Sequence, residues 1–354
     1  MKHLTKSLFF SLFIVINSYT WASDNESWMK NIDDKTPLCQ VSIPGAHDAA
    51  TNGITIGKSK VHVQGLDIED LFEAGVRCFD LRPWGKKLTI IHGKTRYTCH
   101  TNYDEVVDDL VEELKDNPTE CAIIVTRIEG NSGDKWNAIR DKLLSKQFDY
   151  YDWKYKGHVV RFSPSLTMGD VRGKILFINR FEFVDNGNTG IEPVAAYAEN
   201  WLNEDSGKLR CYTTKDNGNV WNWCKTELIG QDRYEMIPTE GFMKANYNPM
   251  SSSDVQGKLQ AFKDVKEKHH ALLQEGECWC FNHVSGYYHA GRNPHPWEFG
   301  AHFNQEIIRY FRSGFTGSCG VVMMDFAGVN KYKSYSFRGQ ELVNLIIEQN
   351  KKNK

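Results

Sequence analysis

The sequence predicts an α/β fold, a single irregular (β/α)8 barrel of the TIM type, and three observations carry the prediction. Eight short β-rich apolar runs alternate with segments of helical period along the 354-residue chain, the pattern of parallel strands covered by helices. No Gly-x-Gly-x-x-Gly follows the first run and no phosphate-loop motif occurs anywhere, which argues against the alternative of an open nucleotide-binding sheet. Composition supplies the third: 40% hydrophobic, 25% charged, 28 Gly and 10 Pro describe a globular body with a sizeable core and exclude disordered, collagen-like and coiled-coil chains.

Taken in order, the expected strands are 40–43, 76–81, 88–91, 121–127, 174–180, 226–234, 278–283 and 320–325. Between them, Val106, Val107, Leu110, Val111 and Leu114 share one helical face, as do Trp136, Ile139, Leu143 and Leu144. The segments 254–274 and 340–347 also read as helices. Two connections are thin. Arg82 to Leu88 is too short for a helix, so the barrel is expected to be irregular there. Residues 185–222, rich in Asn, Gly and Asp, read as long loops around a short helix at Val194 to Trp201.

The N-terminus has the three-part form of an export signal: Lys2 and Lys6, an apolar run from Leu8 to Ile16, and Thr20-Trp21-Ala22 as the small-x-small cleavage site. The expected division is a signal peptide over 1–22 and one catalytic barrel over 23–354, placing the protein outside the cell or in a periplasm; an uncleaved anchor is the alternative. All nine Cys fall after that signal, where oxidation is permitted, and an odd count leaves at least one unpaired. Cys278 and Cys280 lie two apart on one strand and should not bridge each other, while Cys78, Cys121 and Cys319 sit in apolar runs as small buried hydrophobes. Net charge is −2, with 43 basic against 45 acidic residues, so no broad basic field exists and nucleic acid is not an expected partner.

Chemistry concentrates at the ends of the first strands. The first runs into Pro44-Gly45-Ala46-His47-Asp48, and catalytic groups of barrel enzymes stand at C-terminal strand ends. The second ends Phe79-Asp80-Leu81-Arg82, where a period of two puts Asp80 and Arg82 on one face. The third ends at His92-Gly93. Two imidazoles can divide proton uptake and proton delivery, and an arginine beside them can bind a phosphoryl oxygen. That set suits phosphodiester cleavage without a metal. His62, His100, His158, His269, His270, His289, His295 and His302 read as structural.

In this order, Ile43-Pro44-Gly45-Ala46-His47-Asp48, then Gly75-Val76-Arg77-Cys78-Phe79-Asp80-Leu81-Arg82-Pro83, then His92-Gly93 resemble the X region of phosphatidylinositol-specific phospholipase C in its bacterial, single-domain form. The segments 173–180, 231–234 and 321–328, with Asp325, extend the resemblance across nearly the whole chain after the signal. It implies an irregular barrel and an intramolecular transesterification in which His47 deprotonates the inositol 2-hydroxyl, His92 protonates the departing diacylglycerol oxygen, and Arg82 binds a non-bridging phosphate oxygen. Asp325 would orient His47, Asp48 would do likewise near His92, and Asp80 would hold Arg82. Recognition of the inositol ring would fall to Arg127, Arg180, Asp232 and Tyr234. At Arg127 the bacterial relatives carry Lys, a departure that alters the geometry of any contact there. Tyr287 or Tyr288 could stack on the ring.

Calcium-dependent members of the superfamily place an Asn after the first His and a carboxylate where Arg82 stands, so the resemblance implies no metal and no cofactor here. The implied partner is phosphatidylinositol in membranes, met by peripheral and transient contact, with no obligate protein partner evident. Asn217 to Trp223 is the expected membrane-facing loop, because Trp favours the bilayer interface. Two other readings stand beside this one. A metal-dependent barrel phosphodiesterase acting on glycerophosphodiesters or sphingolipids would need a cluster of Glu and Asp ligands where Arg82 sits. A catalytically silent binding protein would show loss of His47, His92 or Arg82, and all three are present.

Overall fold

The computed structural model describes residues 25–93, 97–129, 133–181, 195–199, 201, 207–214, 221–231, 235–236, 253–290 and 293–351. Among them, nine strands close into a barrel: β1 (Ile43–Ala46), β2 (Cys78–Leu81), β3 (Cys121–Thr126), β4 (Lys174–Asn179), β5 (Ala196–Glu199), β6 (Gly207–Thr214), β7 (Trp221–Gln231), β8 (Cys278–His283) and β9 (Val321–Met324). They pair in sequence order, and the ring shuts where β9 meets β1, Ile43 opposite Val321. Every pairing is parallel except the two made by β6, which runs antiparallel to both neighbours. The longer helices among the described residues lie outside or beside the ring: α1 (Ile68–Glu73), α2 (Tyr103–Asp116), α3 (Asp134–Ser145), α4 (Ser253–Leu272), α5 (Pro296–Arg312) and α6 (Gly339–Gln349).

The local sequence explains most of these elements. Every residue of β3 and β8 is buried, as expected for strands with side chains filling the barrel on one face and helices covering the other. Helix α2 starts at a reciprocal cap between Asn102 and Glu105 and turns Val106, Val107, Leu110, Val111 and Leu114 inward. Helix α5 has Pro296 in its first turn, where the missing N–H has no intrahelical partner to lose. In β1, a Cβ at Gly45 would come within 2.3 Å of Met323 Sδ, so a larger residue there would displace the Met323 side chain. Under the barrel's N-terminal end, Arg77 and Glu120 form a fully buried ion pair at 3.0 Å, and Arg77 also donates to the Phe72, Val76 and Glu26 carbonyls.

The single α/β barrel matches the expectation, and its strand inventory corrects it. The segment 88–91 does not enter the barrel. Too little chain follows Arg82 for a crossover helix, so it folds back as the middle of a small antiparallel sheet with strands Pro83–Trp84, Thr89–Ile91 and Thr98–Asn102. The first strand begins at Ile43, three residues later than expected, because Leu38–Gln40 forms a 3-10 turn. The stretch expected as a helix at Val194 to Trp201 contains β5 instead: its alanines favour helix, but pairing with β4 and burial of residues 195–198 override that preference. The antiparallel β6 occupies part of the expected loop, and α5 was not anticipated at all.

The pairing also reverses the expected position of the Trp-bearing segment 217–223. Residues 217–220 lie outside the described residues. Strand β7 starts at Trp221, yet its pairing with β8 starts only at Glu227, opposite Cys278, the first residue of β8. The backbone of Trp221 and Trp223 is therefore off the N-terminal end of the barrel, opposite to the end where β1, β2 and β9 deliver His47, Arg82 and Asp325.

Candidate active site

The ends of three barrel strands carry the centre of the site. His47 follows β1, with its backbone N–H donating to the Met324 carbonyl at the end of β9. A buried Gln64 side chain fastens this corner, donating to the carbonyls of His47 (2.8 Å) and Met324 (2.9 Å) and accepting from Ala327 N–H. Asp48 takes a left-handed backbone with φ of 46°, which an Asp tolerates better than most residues. Arg82 follows β2, on the same face as Asp80. Asp325 follows β9, and its Oδ2 accepts the Gly286 N–H at 3.3 Å.

The side chains form one connected network. His47 Nδ1 lies 2.8 Å from Asp325 Oδ1, and His47 Nε2 lies 2.8 Å from Arg82 Nη2. A guanidinium nitrogen only donates, so Nε2 presents a lone pair and the imidazole proton sits on Nδ1, facing Asp325. Arg82 is held on three sides, by Asp48 at 2.7 Å, Asp80 at 2.9 Å and Glu129 at 3.2 Å. His92 Nδ1 donates to the Val61 carbonyl at 2.8 Å, which leaves its Nε2 free to exchange a proton. Asp48 Oδ2 is buried without a hydrogen-bond partner, 3.3 Å from His47 Nε2 and 3.4 Å from His92 Nδ1.

Burial and charge set the proton affinities of the two imidazoles apart. Burial pushes His47 down, but the Asp48 and Asp325 carboxylates outweigh it and hold its pKa above the ordinary histidine value, with Arg82 opposing them. His92 is pushed down, first by burial and then by the Arg82 cation, although Asp48 opposes. Burial would raise Asp80, yet Arg82, His47 and Arg180 hold it well below the usual carboxylate range. Arg82 itself stays a cation, because Asp48, Asp80 and Glu129 outweigh its burial.

His47, Arg82, His92, Arg127, Glu129 and Asp325 all border one cleft of about 340 Å³ at the C-terminal mouth of the barrel. A second cleft of about 410 Å³, beside His270 and Ser318 on another face, has no such convergence of ionisable groups. Arg180 follows β4, stacks its guanidinium 4.4 Å above the Trp201 ring, and is close enough to Asp80 to lower its pKa. Asp232 and Tyr234 lie outside the described residues. Tyr287 borders the cleft, whereas the buried Tyr288 directs its hydroxyl to Glu298.

His92 reaches the site by a route the sequence reading had wrong: it ends a strand of the small side sheet, not a barrel strand. Glu129 and Gln64 were missed. For Glu129 a signal existed, since Arg127-Ile128-Glu129 prolongs the period-two face of β3; Gln64 had none. His283, given no role from the sequence, is buried at the end of β8 with its ring edge-on to His47 at 6.1 Å between centroids. His47, Asp48 and Asp80 could offer metal-ligand atoms within 4.8 Å of one another. The Arg82 guanidinium contacts all three, so a fixed cation already holds the position that a divalent ion would take, and the donor set does not fit a metal.

A barrel whose C-terminal mouth sets two imidazoles around a buried guanidinium is the arrangement of a phosphoric diester-cleaving enzyme. Comparison with known proteins agrees. Residues 35–181 match the family model of the phosphatidylinositol-specific phospholipase C X domain. A 1-phosphatidylinositol phosphodiesterase of Listeria monocytogenes is 31% identical over 158 residues, 44% of this chain and 48% of that protein. One from Staphylococcus aureus is 23% identical over 367 residues, covering 99% of this chain and all of the relative. Among solved structures, a double mutant of the S. aureus phosphatidylinositol-specific phospholipase C superposes with a TM-score of 0.66 at 19% identity, covering 92% of this chain and 98% of that one. The L. monocytogenes enzyme gives 0.56 at 22%, with 92% and 98% covered. Residues 35–181 are thus similar to the X domain of phosphatidylinositol-specific phospholipase C, and most of the chain is similar to bacterial 1-phosphatidylinositol phosphodiesterases.

Proposed function

We propose that this protein cleaves phosphatidylinositol to diacylglycerol and inositol 1,2-cyclic phosphate without a metal ion. The observation that carries this reading is the contact between Arg82 Nη2 and His47 Nε2 at 2.8 Å, which sets a phosphate-binding cation against an unprotonated base. When the phosphodiester enters, a non-bridging oxygen takes the Arg82 N–H and the inositol 2-hydroxyl takes the place of Arg82 at Nε2. As that oxygen bonds to phosphorus, its proton passes to His47, whose new positive charge lies between Asp325 and Asp48. The phosphorus–oxygen bond to diacylglycerol breaks as His92 Nε2 delivers its proton to the leaving oxygen. Asp48, Asp80 and Glu129 keep Arg82 directed at the cleft as it exchanges His47 for the charge on phosphorus, and one preorganised donor of this kind is worth about 3–4 kcal/mol in other enzymes. Arg127 and Arg180, with Asp232 and Tyr234, are proposed to hold the inositol ring.

The membrane contact belongs to the C-terminal mouth. Ile56 is 63% exposed and precedes the short helix Lys58–Val61, whose Lys60 and Val61 border the cleft, so an apolar tip and a cation adjoin the entrance to an anionic lipid. Among the described residues no helix is long and apolar enough to cross a membrane. Export through the N-terminal signal, with a mature chain starting at Ser23, completes the proposal and rests on the sequence pattern of residues 1–22. Purified protein incubated with phosphatidylinositol micelles tests the reaction: diacylglycerol and a cyclic inositol phosphate in equal amounts support it. Release of phosphatidic acid, or of no lipid product, contradicts it.

A further inference from the structure

Strands β6 and β7 are too long for the barrel they complete. On one edge, β5 pairs with β6 only through Lys208, Leu209 and Arg210. On the other, β8 pairs with β7 only from Glu227 onward. Beyond Arg210 and Lys225 the two strands pair, among the described residues, only with each other, through Cys211 opposite Cys224, Tyr212 opposite Trp223, Thr213 opposite Asn222 and Thr214 opposite Trp221. They leave the N-terminal end of the barrel as a two-stranded ribbon, an arrangement that is marginal in water without further support. The first cross-strand pair outside the barrel is Cys211 and Cys224.

We propose that Cys211 and Cys224 form a disulfide that clasps this ribbon at the point where it leaves the barrel. Directly opposed residues of an antiparallel pair have Cα atoms about 4.5–5.5 Å apart, within the roughly 4.4–6.8 Å that a disulfide spans. The other seven cysteines, at 39, 78, 99, 121, 278, 280 and 319, are buried as free thiols, and burial pushes Cys121, Cys278 and Cys319 up to about 12. The odd count of nine is thus met by one bond between two strand partners and seven inert thiols. The oxidant is a disulfide of small-molecule or protein origin. One cysteine thiolate attacks it, forming a mixed disulfide and releasing one thiol; the second thiolate then displaces the other thiol. Two electrons and two protons leave the cysteines, and the oxidant is reduced to two thiols.

Peptide mapping of the purified protein tests the clasp. The protein is equilibrated in an oxidising glutathione buffer, quenched with acid, alkylated under denaturing conditions and digested with trypsin. Cleavage after Arg210, Lys215 and Lys225 separates the peptides 211–215 and 216–225. The expected result is that these two travel as one species, part on reduction, and leave the other seven cysteines alkylated. Alkylation of both Cys211 and Cys224, a glutathione adduct on either, or a link from either to a third cysteine overturns the proposal. Melting temperatures give a second reading. Cys211→Ser, Cys224→Ser and the double variant are expected to lose the same amount relative to the parent under oxidising conditions, and nothing under reducing ones. Losses that add, or that persist in reductant, would show packing and not a covalent bond.

Discussion

Arg82 Nη2 and His47 Nε2 stand 2.8 Å apart with the arginine as donor, so the group that binds phosphate and the atom that takes the proton are neighbours before substrate arrives. The three carboxylates around Arg82 leave it one face of the cleft, and Asp325 keeps the His47 proton on the far nitrogen. The one contact that has to open for reaction to begin is the one between them, so that the substrate hydroxyl can reach His47 Nε2. Most of the predictions below probe one part of this relationship.

The pH dependence of kcat/KM should be bell-shaped, with limbs more widely separated than two ordinary histidines give. His47 must be neutral and His92 protonated, but His47 is the group held up and His92 the group held down. The reactive protonation state is then a minority between the two pKa values, with the acid limb below and the alkaline limb above about 6.5. Asp325→Asn removes one carboxylate that raises His47, so the alkaline limb should move to lower pH while the rate falls by about 10³–10⁴-fold, as for a comparable carboxylate–histidine pair. An unmoved limb in a folded variant would separate Asp325 from His47.

Arg82→Lys should lower kcat by at least about 10²-fold while retaining the fold. An ammonium keeps the charge among Asp48, Asp80 and Glu129 but cannot present the planar fork that reaches those carboxylates and the phosphate together. Circular dichroism establishes folding, and turnover of phosphatidylinositol measures the loss.

If His92 delivers the proton to the leaving oxygen, its importance must depend on how much that oxygen needs one. His92→Gln should be nearly inactive on phosphatidylinositol and should recover most activity on an inositol aryl phosphate whose phenolate leaves unprotonated. His47→Gln should be equally impaired on both. Equal loss by both variants on both substrates would remove His92 from the acid role.

The Arg77–Glu120 pair concerns stability alone. Glu120→Ala leaves the Arg77 cation buried without its counter-charge and should destabilise the protein by about 3–5 kcal/mol in chemical denaturation. The pair lies at the opposite end of β2 from Arg82, so kcat of the folded fraction should be unchanged.

Much of the site was legible because it obeys short-range rules. His47, Asp80, Arg82 and Asp325 sit at ends of strands that are apolar enough to recognise, and the period of two put Asp80 beside Arg82. His92 borders the cleft from another element than the one expected, since a short connection after Arg82 tells that a helix is absent but not that the chain folds into a side sheet. Strands β5 and β6 were hidden for opposite reasons. Alanines in 195–198 mimic a helix, and the polar sequence flanking Gly207–Thr214 obscures a strand whose identity comes from its neighbours. The Trp-bearing segment was misplaced because the end of the barrel a hairpin faces depends on register, which no local pattern carries.

The most direct test of the central claim is phosphorus NMR of the purified protein acting on phosphatidylinositol micelles, with and without EDTA. The expected result is the resonance of a five-membered cyclic phosphodiester, growing at the same rate in both tubes, because Arg82 supplies the charge a metal would supply. Formation of the acyclic inositol phosphate from the first turnover, or arrest of the reaction by EDTA, would contradict it.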